Sequence, residues 1–473
     1  MKFTTTTVLL VAAALGGCTT LQPKEAFPNI AERVEERIGA KIAWNQHTDS
    51  DREVREAIET LLSRDLTADA AVQVALLNNR SLQATYEDLG IAQAELVQAG
   101  LLKNPVFSAL LRFPDGGAGN PNLELSVSEN FIDLFALPLR KKVAAAKYES
   151  AKTRVAAEVI SLANDVKQNF YLLQGSEQML ELRRSVADAT AASFDAAKRL
   201  REAGNTTELD LAIEQATYGQ AKLDLAQAES QNVKQREKLI SLLGLWGPKS
   251  TIRVSHRLPE LPVADEGLEN IESLAIRQRL DLAGAMSELN ATYQSLGVTK
   301  RVGFLSDAEI TIAGEHDTDG SWIVGPGLST PVPIFDTGAA QVSIAQSRVR
   351  QANQRVYALA VQVRSDARSA RADLLAARER ANYYRGTVVP LRQKITQQTQ
   401  LQYNAMIVGV FQLLQAKRDE ISAGREYIEA LQDYWVARVE LERAVGGRLP
   451  ASAAVPSTMP AVQPVAPTHQ HQH

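Results

Sequence analysis

Pro331-Val332-Pro333-Ile334-Phe335-Asp336-Thr337-Gly338 is the stretch that decides the fold. It closes a strand-like segment and opens a long Ala-rich helical pattern. Its two prolines push the residues before them away from helix. Asp336 is then a candidate cap for the helix that follows. A weaker copy of this strand-to-helix passage lies roughly 200 residues earlier, at Pro138. The chain thus doubles one unit: helix, β-hairpin, long helix, turn, helix. A doubled unit of this kind builds a symmetric hollow object, not a catalytic cleft.

Downstream of the motif, Val342, Val349, Val356 and Val363 recur every seven residues, with Ala345, Ala352 and Leu359 at the matching d positions. Small residues on both seams predict a close-packed coiled coil. Asp366 and Asp373 then fall on d, so the seam must shift or open onto water. The chain turns near Tyr403–Gly409, and its last helix ends at Ala444-Val445-Gly446-Gly447. Upstream of the motif, two segments at about 308–315 and 322–329 read as strands, with Glu309-Ile310-Thr311-Ile312 alternating in polarity.

The first unit follows the same plan. Thr67 caps a helix that carries Asp69 in its first turn and runs through Val72, Leu76, Leu82, Leu89 and Leu96. Gly100 and Pro105 stop it. Leu282 takes the place of Leu82 in the second unit. Strands follow at about 106–113 and 123–131, the second from the alternation Leu123-Glu124-Leu125-Ser126-Val127-Ser128. Pro138 ends the irregular part. A helical pattern then runs from about Leu139 to Ala203, ~65 residues and ~100 Å long. Gly204 suits a helix C-cap, and Thr207-Glu208-Leu209-Asp210 suits a capping box for a helix returning to Leu243-Gly244.

The remaining segments divide as a signal peptide (1–17), an N-terminal arm (18–65), the first unit (66–247), a linker (248–267), the second unit (268–447) and a disordered His-ending tail (448–473). Lys2, a short apolar run and small residues before Cys18 mark a secretory signal. Small residues directly before Cys resemble the bacterial lipoprotein box. That resemblance implies an acylated Cys18, and Thr19 favours delivery to the outer membrane. Cys18 is the one cysteine in 473 residues, so no intrachain disulfide can form.

Composition excludes several classes. Apolar residues make up 45% but aromatics 5%, which suits long close-packed helices. Net charge is −4, with no basic stripe for nucleic acid. No apolar run of ~18 residues follows the signal, so any membrane crossing must use strands. There is no phosphate-binding Gly loop with a Lys and no Ser/His/Asp set, so the chain is not read as an enzyme. His469, His471 and His473 form the candidate metal cluster. In a flexible tail that site would not be preformed.

Four strands cannot close alone, and open sheet edges are not tolerated in lipid, so several chains must pool them. Leu123, Leu125, Val127, Ile310 and Ile312 would face lipid. Glu124, Ser126, Glu309 and Thr311 would face a water-filled lumen. Trp322, Phe107 and Phe113 would suit the interface girdle.

With these features the chain resembles the TolC-type outer-membrane efflux channel family over Leu66–Gly447. The resemblance rests on Gln98–Pro105, on Pro331–Gly338 with its Pro333, Phe335, Asp336 and Gly338, on the doubled plan and on the lipoprotein box. It implies a mainly α fold with a transmembrane β part. It also implies a homotrimer, a 12-stranded β-barrel and a long periplasmic α-helical barrel closed at its helical tips. The implied role is that of a passive outer-membrane duct extending into the periplasm. It would export small molecules or metal ions for an inner-membrane pump, through a periplasmic adaptor. No cofactor is implied beyond acyl groups on Cys18. The tip candidates are Gly204, Thr207 and Asp210 in the first hairpin and Tyr403, Met406 and Gly409 in the second. Met406 stands where the family usually has Gly. Gln412 and Gln415 stand where some members carry two acids, so a carboxylate gate does not carry over. These glutamines either line the gate or solvate a helix face. Asp210 either supplies gate charge or serves as the capping-box acid. The alternative reading is a non-conducting periplasmic coiled-coil spacer lipoprotein, which would need no alternating strands between its helices.

Overall fold

The computed structural model describes residues 27–46, 50–113, 120–247, 251–265, 267–302, 308–332 and 334–449. The signal peptide, Cys18, Pro333 and the histidines His469, His471 and His473 lie outside them. After α1 (Phe27–Ile38) and α2 (Ser50–Leu62) come α3 (Ala68–Asn78), α4 (Arg80–Ala99), β1 (Val106–Arg112), β2 (Asn122–Glu129), α5 (Ile132–Glu202) and α6 (Glu208–Leu242). The order then repeats as α7 (Ile271–Gln278), α8 (Leu280–Val302), β3 (Glu309–His316), β4 (Trp322–Ser329), α9 (Ala339–Tyr383), a π-helical turn (Tyr384–Val388), α10 (Val389–Asn404) and α11 (Val410–Val445). The four strands form one sheet in the order β1-β2-β3-β4.

The helices differ from the sequence reading at four places, each with a local cause. The helix expected from Thr67 onward is two helices, because the Asn79 side chain accepts the Leu82 N–H at 3.0 Å and caps a fresh start. The second repeat breaks at the equivalent place, between α7 and α8. Leu82 and Leu282 are both buried just after their breaks. The first long helix begins at Ile132, with Pro138 inside it rather than before it. A proline this near the start removes one helical hydrogen bond but leaves the turns beyond it intact. The second long helix is interrupted where Pro390 lacks an N–H. Val389 N–H instead reaches Tyr384 O, five residues back. Finally, Asp336 does not cap an N-terminal amide of α9. Its Oδ1 accepts the Gly338 N–H at 2.8 Å, a turn completed just before the helix.

Tertiary contacts sort the chain into two units, each drawing on both repeats. The first takes residues 1–58, 73–163 and 276–365. Its core holds Ile30 and Val34 of α1, Leu76 of α3, Leu82, Tyr86 and Leu89 of α4, and Val155 and Val159 of α5. The Phe27 ring meets Tyr86 edge-on at 5.3 Å, and Trp44 Nε1 donates to Glu87 at 3.0 Å. These contacts fasten the N-terminal arm to α4.

The second unit takes residues 59–72, 164–275 and 366–473. The seam of α9 continues there by shifting one position. Val349 and Val363 are buried upstream, then Ala367, Leu374 and Ala381, while Asp373 stays exposed. The stretch read as a linker packs closely. Ile252, Val254, Leu258 and Leu261 are buried, and Asp265 takes both Arg378 and Arg438. Tyr171 stacks on Trp435 at 4.9 Å. Beside them Lys167 Nζ meets Glu442 at 2.8 Å, both side chains about nine-tenths buried.

A buried pair costs desolvation on both sides, so losing one partner strands the other. Lys167→Met is expected to destabilise the protein by about 3 kcal/mol, and Lys167→Met with Glu442→Leu to recover most of that. Unfolding midpoints of the three proteins in urea, followed by helical circular dichroism, check this.

Candidate functional site

The sheet has two chemically distinct faces. In register, Val127 lies between Phe107 and Ile312, Leu125 between Ala109 and Gly314, and Leu123 between Leu111 and His316. Ile310 opposes Leu328, Ile312 opposes Pro326, Gly314 opposes Val324 and His316 opposes Trp322. Directly opposed residues share a face. One face is therefore apolar except for Glu129, opposite Ile310 at one end, and His316 at the other. The other carries Ser108, Arg112, Glu124, Ser126, Ser128, Glu309, Thr311 and Glu315, with Val106, Leu110, Ala313 and Ile323 as its apolar exceptions. Leu123, Leu125, Val127, Ile310 and Ile312 fall together on the apolar face with Phe107 and Trp322, the grouping that the alternation predicts.

Among the described residues nothing covers most of the apolar face. Phe107 is 66% exposed, Ile312 63% and Val324 70%. On the polar face Arg112 pairs with Glu124 at 2.9 Å, and Asn122 donates to Glu315 at 2.7 Å. Among the described residues, the outer edges of β1 and β4 have no partner strand. The passage from β4 to α9 is built on Gly338, whose φ of +75° lets Asp336 fold back on it. Phe335 is fully exposed there.

The two hairpin tips close by the same pair of hydrogen bonds. In the first, Gly204 N–H reaches Arg201 O at 3.0 Å and Asn205 N–H reaches Leu200 O at 2.8 Å. In the second, Met406 N–H reaches Tyr403 O and Ile407 N–H reaches Gln402 O, both at 2.9 Å. Gly204 has φ +75° and Met406 has φ +59°. Met406 thus holds, in strain, the left-handed position that glycine takes freely. Thr207 and Asp210 form the full capping box, with the Asp210 N–H donating to Thr207 Oγ1 at 3.1 Å and the Thr207 N–H donating to Asp210 Oδ2 at 3.3 Å; the Thr207 hydroxyl also donates to Asp210 Oδ2 at 2.7 Å. The Thr207 hydroxyl, then its N–H, hold the Asp210 carboxyl below its ordinary range. Gly409 has no side chain to complete such a box, but its N–H donates to Gln412 Oε1 at 2.6 Å. Gln415 Nε2 donates to Asp419 Oδ1 at 2.8 Å, and Asp419 pairs with Arg392 at 3.0 Å. Gln412 and Gln415 are both exposed.

A tie between the two hairpins went unread in the sequence. Arg418 of α11 donates to Thr217 Oγ1 at 3.0 Å and lies 3.7 Å from Glu214, both on α6. Ser193 of α5 donates to the same Glu214 at 2.8 Å. The Glu214 side chain is 7% exposed, so these partners supply its polar contacts in place of water. Arg418 and Thr217 are 201 residues apart, and no local pattern announces their meeting.

Two outcomes follow at the tips. Met406→Gly is expected to stabilise the second tip by about 1 kcal/mol through relief of left-handed strain, read as slower amide exchange at Ile407. Because its folded pKa is depressed, Asp210 contributes its box at neutral pH. That contribution fades only as pH falls below the usual Asp range. Amide exchange at Thr207 and Asp210 is therefore expected to be flat from pH 7 to pH 5, after correction for intrinsic rates, and to quicken only in stronger acid.

Comparison with known proteins agrees with this geometry. The outer membrane efflux protein family matches residues 71–245. The cobalt-zinc-cadmium resistance protein CzcC of Cupriavidus metallidurans is 20% identical over 389 residues, 80% of this chain and 90% of that protein. The probable efflux pump outer membrane protein TtgC of Pseudomonas putida is 22% identical over 471 residues, covering 93% of this chain and 94% of its own. Among solved structures, the CmeC outer membrane channel of Campylobacter jejuni aligns with a TM-score of 0.68 at 15% identity, over 86% of this chain and 91% of its own. With a repeated helix–hairpin–helix plan, a two-faced open sheet and relatives matched over nearly their full lengths, this chain is similar to the outer membrane efflux proteins in sequence and in fold.

Proposed function

We propose that this protein is the outer-membrane channel of a tripartite efflux system, a passive duct worked by an inner-membrane pump through a periplasmic adaptor. One observation carries the reading: a four-stranded sheet with one bare apolar face, one polar face and two unpaired edges. Such a sheet is stable in lipid only when its edges are paired. Three copies would join edge to edge into a barrel of 12 strands, with Glu124, Ser126, Glu309 and Thr311 toward water. Acyl groups on Cys18 would add an anchor in the outer membrane. The helical hairpins would form the periplasmic wall, with their tips as the gate and the Arg418–Glu214–Thr217 tie holding it. The relative named for cobalt-zinc-cadmium resistance points to metal ions, and the one named for an efflux pump leaves small molecules open, as cargo.

A non-conducting spacer would not need an amphipathic sheet. Purified full-length protein in planar bilayers is expected to conduct; silence there would favour the spacer. Ile312→Arg, on the apolar face, is expected to cost about 2–4 kcal/mol in the membrane and to block assembly. Thr311→Arg, one residue away on the polar face, should assemble and conduct with altered selectivity. Arg418→Ala should raise open-channel conductance by freeing the tips. Gln412→Asp with Gln415→Asp should shift the reversal potential in a salt gradient toward cation selectivity; no shift would remove these side chains from the pore.

A further inference from the structure

Two clefts flank the segment Gly100–Leu102, just before β1. The first, about 790 Å3, lies between the end of α4, the start of α5 and α8. Lys103, Arg140 and Lys147 line it, and Glu95 is its single acid. The second, about 550 Å3, has Lys141 and Lys152 in its wall and no acid among its lining residues, with Lys152 paired to Glu149 at 2.5 Å. Leu101 borders both. Leu101 and Leu102 are each about half exposed. Five cations thus gather beside two bare leucines, three residues from the strand that begins the sheet's apolar face.

We infer that these clefts seat the phosphate headgroups of anionic phospholipids in the periplasm-facing leaflet, with the acyl chains lying along Leu101 and Leu102. The inference rests on the channel reading for the place of the bilayer. Its support is the match of charge and polarity at one depth. Helix α5 begins three residues after β2, so Arg140 and Lys141 lie ~12 Å along its axis from the sheet. Helical side chains lean toward the helix N-terminus, here toward the sheet. Long cationic side chains so placed carry their charge up to the headgroup layer while their stems cover apolar surface. Basic pockets beside membrane-spanning segments bind anionic headgroups on this principle. A soluble phosphate would use the cations but not the leucines.

The test uses full-length protein, purified in detergent and stripped of lipid. Binding of phosphatidylglycerol, phosphatidylcholine and inorganic phosphate is measured by native mass spectrometry and by shift of the thermal midpoint. Wild type is expected to retain phosphatidylglycerol over phosphatidylcholine and to gain little from phosphate. Arg140→Gln with Lys141→Gln and Lys147→Gln is expected to lose on the order of a hundredfold in phosphatidylglycerol affinity. Should that variant fail to assemble, Lys141→Glu alone is expected to lose about tenfold or more. Equal binding of both lipids, unchanged affinity in the variants, or the same stabilisation by inorganic phosphate would overturn the site. Bilayer conductance of the wild type separates the two readings. A conducting protein without lipid preference loses only this inference, whereas a silent protein with the preference loses only the channel.

Discussion

An unpaired backbone is the constraint from which the rest follows. The outer edges of β1 and β4 each present a row of N–H and C=O groups, and the apolar face beside them is suited to a medium that cannot hydrogen-bond them. Among the described residues a single chain holds one four-stranded sheet. Helices on either side of the sheet cannot cure this, since their own backbone bonds are already made internally. On the proposed channel reading, joining edges with further copies would satisfy every group at once and would turn the polar face of the sheet inward.

The helices answer a different requirement. Long antiparallel hairpins need a seam narrow enough for close approach, and alanine and valine supply it along α9. Where Asp366 and Asp373 would have interrupted that seam, it moves to Ala367, Leu374 and Ala381. Buried charge enters only with partners: Lys167 with Glu442, Asp265 with Arg378 and Arg438, Glu214 with Arg418 and Ser193. Such pairs contribute little net stability over an apolar core, but they penalise any packing that separates them. They therefore specify which helix lies beside which, and at the tips they offer a contact whose loss would let the hairpins part.

The tips also separate two uses of the same geometry. Gly204 and Met406 occupy equivalent left-handed positions, one relaxed and one strained. Backbone strain at a surface turn persists when the surrounding bonds over-determine it. Here the Tyr403 and Gln402 carbonyls do so. The glutamines beside this turn are engaged in local work, Gln412 at the Gly409 N–H and Gln415 at Asp419. The first acid along the helix that leaves the second tip is Asp419, paired with Arg392 and accepting from Gln415.

Much was legible in the sequence because it is periodic. The doubled plan, the four strands, the faces of Leu123, Leu125, Val127, Ile310 and Ile312, the turn at Gly204 and the box at Thr207–Asp210 all follow from two-residue, seven-residue or turn-residue patterns, which are local. Local breaks were harder, since Asn79 and Pro390 act through one hydrogen bond each and leave the apolar pattern intact. The Arg418–Thr217 tie, the Asp265 clasp and the clefts around Leu101 could not be read at all. They join residues far apart in the chain, and only the packing of the helices decides that those side chains meet.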